Sequence, residues 1–230
     1  MQRLIWLLLI ISMVSACAGG EGKATEEETA TESQEEATPP EAPGTLAVLN
    51  PNLASAEEMA ALPEIGEALA QKIVEGRPFL SMKDFQAVMG EMDEAAKEAL
   101  FTVCFVPLNL NTTPEEDFKM VPGVGDKMAH EFEEYRPYKK VAQFRREMGK
   151  YVDEDEIARY EKYVFVPVAL NSATDEEILA IPGVGDRMLH EFKEYRPYNS
   201  LEQFRREIGK YVDDNELARL ERFVYLDTEN

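Results

Sequence analysis

From Leu49 onward, short polar openings alternate with apolar positions spaced three and four residues apart, the period of amphipathic helices. Ser55-x-x-Glu58, Thr113-x-x-Glu116 and Thr174-x-x-Glu177 each place a hydroxyl where it caps unpaired amides at a helix start and a glutamate where it reaches back. Each predicts a short helix that ends at Leu62-Pro63, Val121-Pro122 or Ile181-Pro182, because the residue before proline is driven out of the α region. A second helix restarts after Gly66, Gly125 or Gly185, with Val184, Met188, Leu189, Phe192 and Tyr195 tracing its apolar stripe in the last case, and stops at Arg-Pro. A third helix is predicted from about Leu201 to Ile208 after Ser200-x-x-Gln203. A fourth follows Asp213-x-x-Glu216, with Leu217, Leu220 and Val224 inward. The pattern predicts an all-α fold.

The helical set recurs at a period of about 60 residues. Asn52, Asn111 and Asn171 align, as do Pro63, Pro122 and Pro182, then Arg77-Pro78-Phe79, Arg136-Pro137-Tyr138 and Arg196-Pro197-Tyr198. This divides the chain into three four-helix modules at 45–107, 108–167 and 168–230. Modules two and three agree at 32 of 60 positions, counted from 108–167 against 168–227, whereas module one is divergent and one residue shorter before Asp93. Alone, a module of this size buries only about 60% of its unfolded surface, so neighbours are expected to pack, as a short rod or arc. The many tyrosines and phenylalanines are expected to fill the small cores and the seams.

An apolar-Pro-Gly-Val-Gly turn between two short helices, preceded by Leu-Asn and followed by Arg-Pro-Tyr and Gln-Phe, resembles the helix-hairpin-helix modules of the ComEA-like competence DNA receptors. The likeness runs from Leu49 to about Leu226. A similar hairpin pair resembles the extrinsic photosystem II protein U, whose role is taken to be structural. In the receptor family two hairpins pack as one module; here the second is degenerate, keeping only Gly90, Gly149 and Gly209.

Glycines in such a turn let backbone come close to a ligand, and the next helix offers unpaired amides and a positive dipole end to a phosphate. The candidate nucleic-acid contacts are Gly123, Val124 and Gly125 in module two and Gly183, Val184 and Gly185 in module three. The resemblance adds Lys127 and Arg187, since a basic residue two places after the last glycine often assists in that family. Module one has Glu64, Glu67 and Ala68 at the corresponding places and does not qualify. Asp126 and Asp186 oppose the reading, because a carboxylate there can cap the same amides from within. At ~5 Å its repulsion of a phosphate is ~0.8 kcal/mol in water and ~3 kcal/mol at an effective dielectric of 20. Arg145, Arg146, Lys150, Arg205, Arg206 and Lys210 surround the second hairpins and read either as further phosphate contacts or as a solvated helix face.

Charge narrows the partners. The chain of 230 residues has 45 acidic against 24 basic side chains, a formal charge of −21, and the modules carry 4, 10 and 8 basic residues against 10, 13 and 14 acids. Long-range attraction of DNA is absent, so any phosphate contact is local, within a screening length of ~8 Å. The histidines, His130 and His190, occupy one equivalent helix position in modules two and three and suggest no metal site; no metal, cofactor or catalytic residue is expected. A lysine at position 127 also matches the catalytic lysine of helix-hairpin-helix glycosylases, but these need a distant aspartate and a larger domain. The expected function is non-enzymatic: sequence-independent binding of double-stranded DNA, or alternatively a protein-protein scaffold that binds an envelope protein.

The N-terminus gives an address. Arg3 precedes an apolar run, Leu4 to Val14, of signal-peptide length, ending at Val14-Ser15-Ala16-Cys17, which resembles the lipobox of bacterial lipoproteins. That implies a signal peptide at 1–16, lipidation of Cys17 and a membrane anchor; a plain cleaved signal is the alternative. Ala18 in place of Asp implies the outer membrane, facing the periplasm in a diderm cell. Residues 17–44 contain eight glutamates and almost no large apolar side chain, so they are expected to form a disordered acidic linker. Cys104, in Phe101-Thr102-Val103-Cys104-Phe105, is expected to be buried and inert.

Overall fold

The computed structural model describes residues 48–227. Cys17, the signal segment and the linker lie outside them. Twelve helices are present among the described residues, four per module: α1 Ala56–Ala60, α2 Glu67–Glu75, α3 Met82–Met89 and α4 Glu94–Phe101; α5 Glu115–Phe118, α6 Asp126–Glu134, α7 Val141–Met148 and α8 Glu154–Tyr160; α9 Asp175–Leu179, α10 Asp186–Glu194, α11 Leu201–Ile208 and α12 Asp214–Glu221. The fold is all-α, and none of these helices is long and apolar enough to cross a membrane.

The caps explain the helix starts. Ser55 and Thr174 form reciprocal capping boxes with Glu58 and Glu177, and Asp153 and Asp213 accept from the amides of Glu156 and Glu216 at 2.9 and 2.8 Å. The box expected at Thr113 and Glu116 does not form. Pro114 holds the N-cap position that Ser55 and Thr174 hold in the other modules and has no hydroxyl, so α5 starts at Glu115 without a side-chain cap and spans four residues.

Short parallel strand pairs, invisible in the helical pattern, close the modules. Leu49 bridges Cys104; β1 (Leu108–Asn109) pairs with β2 (Val164–Phe165), and β3 (Val168–Ala169) with β4 (Val224–Tyr225). Each pairing ties the start of a module to its end. The repeated Asn and Arg-Pro positions do related work. Asn52, Asn111 and Asn171 each exchange two hydrogen bonds with the backbone of Phe79, Tyr138 or Tyr198, at 2.6 to 2.9 Å. Arg77, Arg136 and Arg196 donate to two carbonyls of the loop before the first helix. Both signatures satisfy buried backbone groups, so they define the module and are not ligand contacts.

Modules one and two share a continuous core running from Met59 and Phe85 through Phe105 to Phe132 and Tyr160, while module three has its own around Ile178, Phe192, Phe204 and Leu220. Phe105 and Tyr163 meet edge-on at 5.1 Å across the first seam, and Phe165 and Phe223 lie 4.2 Å apart at the second. Modules one and three also touch: a Cβ placed on Gly183 would stand 3.1 Å from Leu53 Cδ2. The array is therefore not a rod in which each module meets only its sequence neighbour. Cys104 is buried, with its Sγ 3.9 Å from Met59 Sδ, and desolvation pushes its thiol up to about 12. It is inert at neutral pH.

Candidate functional site

Pro122-Gly123-Val124-Gly125 makes the turn between α5 and α6, and Pro182-Gly183-Val184-Gly185 the turn between α9 and α10. Val124 and Val184 are buried and anchor the turns, with their amides bonded back to Val121 and Ile181 at 3.0 Å. Gly123 and Gly183 have φ of +77° and +81°, the left-handed region that favours glycine. In module one the same position is Glu64 at φ +65°, so the turn is retained without its glycine. Glu64→Gly is expected to raise stability by about 1 kcal/mol, read from denaturant midpoints, by relieving the left-handed strain.

The close approach permitted by the first glycine is used internally. The Arg159 guanidinium, from α8, donates to the Pro122 carbonyl and lies 3.1 Å from where a Gly123 Cβ would be; Arg219, from α12, donates to the Pro182 carbonyl at 2.7 Å and lies 3.0 Å from the corresponding point on Gly183. Each guanidinium is gripped through two nitrogens by a glutamate one turn earlier, Glu156 or Glu216, at 2.6 and 2.7 Å. In module one the three partners are replaced together, by Glu64, Ala96 and Ala99. The arginines join the first hairpin to the second, and the spacing of 37 residues hid them from local pattern reading. Only the joint replacement in module one signals them in the sequence.

The second glycines remain open. Gly125 and Gly185 are N-caps of α6 and α10, exposed, without a side-chain cap, and an added Cβ at either would meet no atom within 4 Å. Asp126 does not plug the amides: its exposed carboxylate pairs with Lys119 Nζ at 2.7 Å, and this hydrogen bond holds the carboxyl below its ordinary range. Lys119 corresponds to Leu179 in module three, and Asp186 is exposed with no ion pair among the described residues. The first-turn amides of both nine-residue helices thus keep their positive dipole ends without a side-chain acceptor.

The basic residues fall into two groups. Lys127 and Arg187 are exposed beside the open N-termini with no carboxylate partner among the described residues; Lys127 Nζ lies 5.3 Å from the Tyr151 ring centroid. The other six are already paired. Arg145 and Arg205 grip Glu161 and Glu221 through two nitrogens each, Arg146 and Lys150 converge on Glu147, and Arg206 and Lys210 on Glu207. This is the arrangement of a solvated helix face, with little positive charge left uncompensated. Gly149 and Gly209 are not phosphate cradles either, since a Cβ there would come within 3.1 and 2.6 Å of the Arg145 and Arg205 carbonyls. They are the C-caps of α7 and α11, each donating its amide to a carbonyl of the helix it ends.

Residues 47–99 match the family model of the helix-hairpin-helix motif. No curated protein and no solved structure matches the chain. The matched stretch is module one, whose turn carries Glu64 and lacks the cation. The helix-hairpin-helix motif is thereby placed in the module with Glu64 in place of the first glycine, and modules two and three share its helix order, Asn clamp and Arg-Pro signature. The motif is compatible with nucleic-acid binding.

Proposed function

We propose that this chain is a non-enzymatic cell-envelope lipoprotein, anchored through Cys17, whose helix-hairpin-helix modules two and three hold double-stranded DNA without reading its sequence, in the manner of the ComEA-like receptors. The observation that carries the reading is the pairing, at both α6 and α10, of an uncapped helix N-terminus with a cation two residues on that has no carboxylate partner among the described residues. Such a site recognises a phosphodiester through amide hydrogen bonds and one charge, with no base contact. Titration of residues 45–230 with duplex DNA tests it. About four phosphate contacts give a slope near −3.6 in log affinity against log salt, and no binding at 50 mM salt removes the proposal.

Asp126→Asn is expected to strengthen binding several-fold, because it removes the facing carboxylate and releases Lys119 beside the same helix start. One observation favours the alternative, a protein-binding envelope scaffold: the six secondary basic residues are satisfied internally. A partner retained from envelope extract after nuclease digestion, with no DNA affinity in the titration, would establish that reading instead.

A further inference from the structure

Arg222, the residue after α12, stands where all three modules converge. Its Nη2 donates to the carbonyl of Pro107, between modules one and two, at 2.7 Å; its own carbonyl accepts from Asn109 Nδ2 at 3.2 Å; and its guanidinium carbon lies 5.7 and 5.9 Å from the Phe165 and Phe223 ring centroids. Nη1 is buried and has no hydrogen-bond partner. No carboxylate among the described residues forms an ion pair with this guanidinium. Asp84 of module one is near enough to favour the charge but makes no ion pair with it; its Oδ2 accepts from the amides of Leu80 and Ser81, at 3.1 and 2.8 Å. Burial draws Arg222 down to about 10, which still leaves it charged at neutral pH.

The residue does not belong to the repeat. Its counterparts are Lys162, which is exposed, and Thr102. A mostly buried cation without a counter-ion is expensive to maintain, and the fold of a module does not require it. Beside it, Ser81, Asn109, Thr112, Thr113 and Asp117 line a cavity of about 250 Å³. Ser81 Oγ accepts from the Asp84 amide at 3.1 Å, which leaves its hydrogen to donate. Asp117 is the one carboxylate lining the cavity, and it is paired with Lys83 at 2.8 Å. A guanidinium, three hydroxyls and a neutralised carboxylate make an environment for an anion.

We propose that this junction binds a small oxyanion of the phosphate or sulfate type, with Arg222 as the charged donor and Ser81, Thr112 and Thr113 as neutral donors. The bound anion would bridge modules one, two and three, independently of any DNA held at α6 and α10. The test is titration of the full chain with inorganic phosphate at low chloride, followed by calorimetry and by the thermal midpoint. One site saturating in the low millimolar range is expected, with a midpoint that rises more than in chloride of equal ionic strength. Arg222→Met, which keeps the apolar stem, should lose at least tenfold in phosphate affinity, the worth of a charge-assisted hydrogen bond. Asp117→Asn should tighten binding several-fold by removing the repelling charge. Should the Arg222 variant unfold, Thr112→Val, at an exposed position, is expected to weaken binding in a folded protein. Phosphate acting no differently from chloride, or binding equally well to the Arg222 or Thr112 variant, overturns the proposal.

Discussion

Arg219→Ala is expected to cost module three about 3–5 kcal/mol, enough to unfold it in a protein of ordinary stability, while Arg159→Ala costs module two about 1–2 kcal/mol. The two arginines make the same bonds, to a proline carbonyl and to both oxygens of a glutamate. Their burial differs: the Arg219 side chain is 2% exposed and that of Arg159 30%. Leu53 of module one packs beside the Gly183 bend, the neighbourhood of Arg219, and no such contact stands at Gly123. In the buried case, deletion opens a cavity beneath the Gly183 bend and leaves the Pro182 carbonyl without its donor, while the Glu216 carboxylate, about as exposed as Glu156, turns to water; in the exposed case water replaces all the lost bonds. Because module three has a core of its own, the damage should be confined. Amide exchange should quicken through α9 to α12 in Arg219→Ala, with modules one and two retaining their protection. Equal losses for the two variants would show that burial does not set the strength of this link.

Internal repetition made much of the architecture readable in advance. Caps, X-Pro stops and apolar periods act within a few residues, so the helix boundaries follow from local chemistry, and a thrice-repeated pattern shows which of them are systematic. The failures share a different cause. Strands of two residues hold no period to detect, and their pairing joins residues about 56 apart. The Thr113 box was misread because Thr113 stands one place before the N-cap position of Ser55 and Thr174, which Pro114 fills without a hydroxyl. The expectation of a short rod or arc left open whether the end modules meet, because contacts such as Leu53 with Gly183 depend on how modules pack, which a repeat period does not specify.

At the candidate site, the glycine turns and their cations were legible, but the division of labour within Gly-Val-Gly was not. Each glycine suggested close approach, and only the placement of Arg159 and Arg219 shows that the first one is approached by an arginine of its own module. The role of Asp126 turned on Lys119, seven residues earlier, whose spacing has no meaning until α5 and α6 are folded against each other. The secondary basic cluster was also ambiguous for a long-range reason, since Glu161 and Glu221 lie 16 residues from the arginines they pair with.

This division of labour supplies the strongest test of the DNA reading. Replacing Gly125 and Gly185 together by leucine should leave the fold unchanged and lower duplex affinity by more than tenfold at 50 mM salt. The substitution suits the backbone: with φ of −95° and −110° and ψ near 180°, both glycines are in extended conformations open to any residue, and nothing stands within 4 Å of a new Cβ. A thermal midpoint within a few degrees of the parent checks this. A leucine at each N-cap would nonetheless cover the first-turn amides, pushing a phosphate beyond hydrogen-bond reach and forfeiting about 1.5–3 kcal/mol per charge-assisted contact. The counterpart, Gly123→Leu with Gly183→Leu, should fail differently, because left-handed φ and the adjoining guanidinium both exclude a side chain and the turns themselves must break. A stable Gly125/Gly185 variant that binds as tightly as the parent would dissociate the open helix ends from nucleic acid. Loss of binding in that stable variant, accompanied by a shallower salt dependence, would instead locate the phosphate contacts at α6 and α10, since removing two of about four contacts reduces the slope by about 1.8.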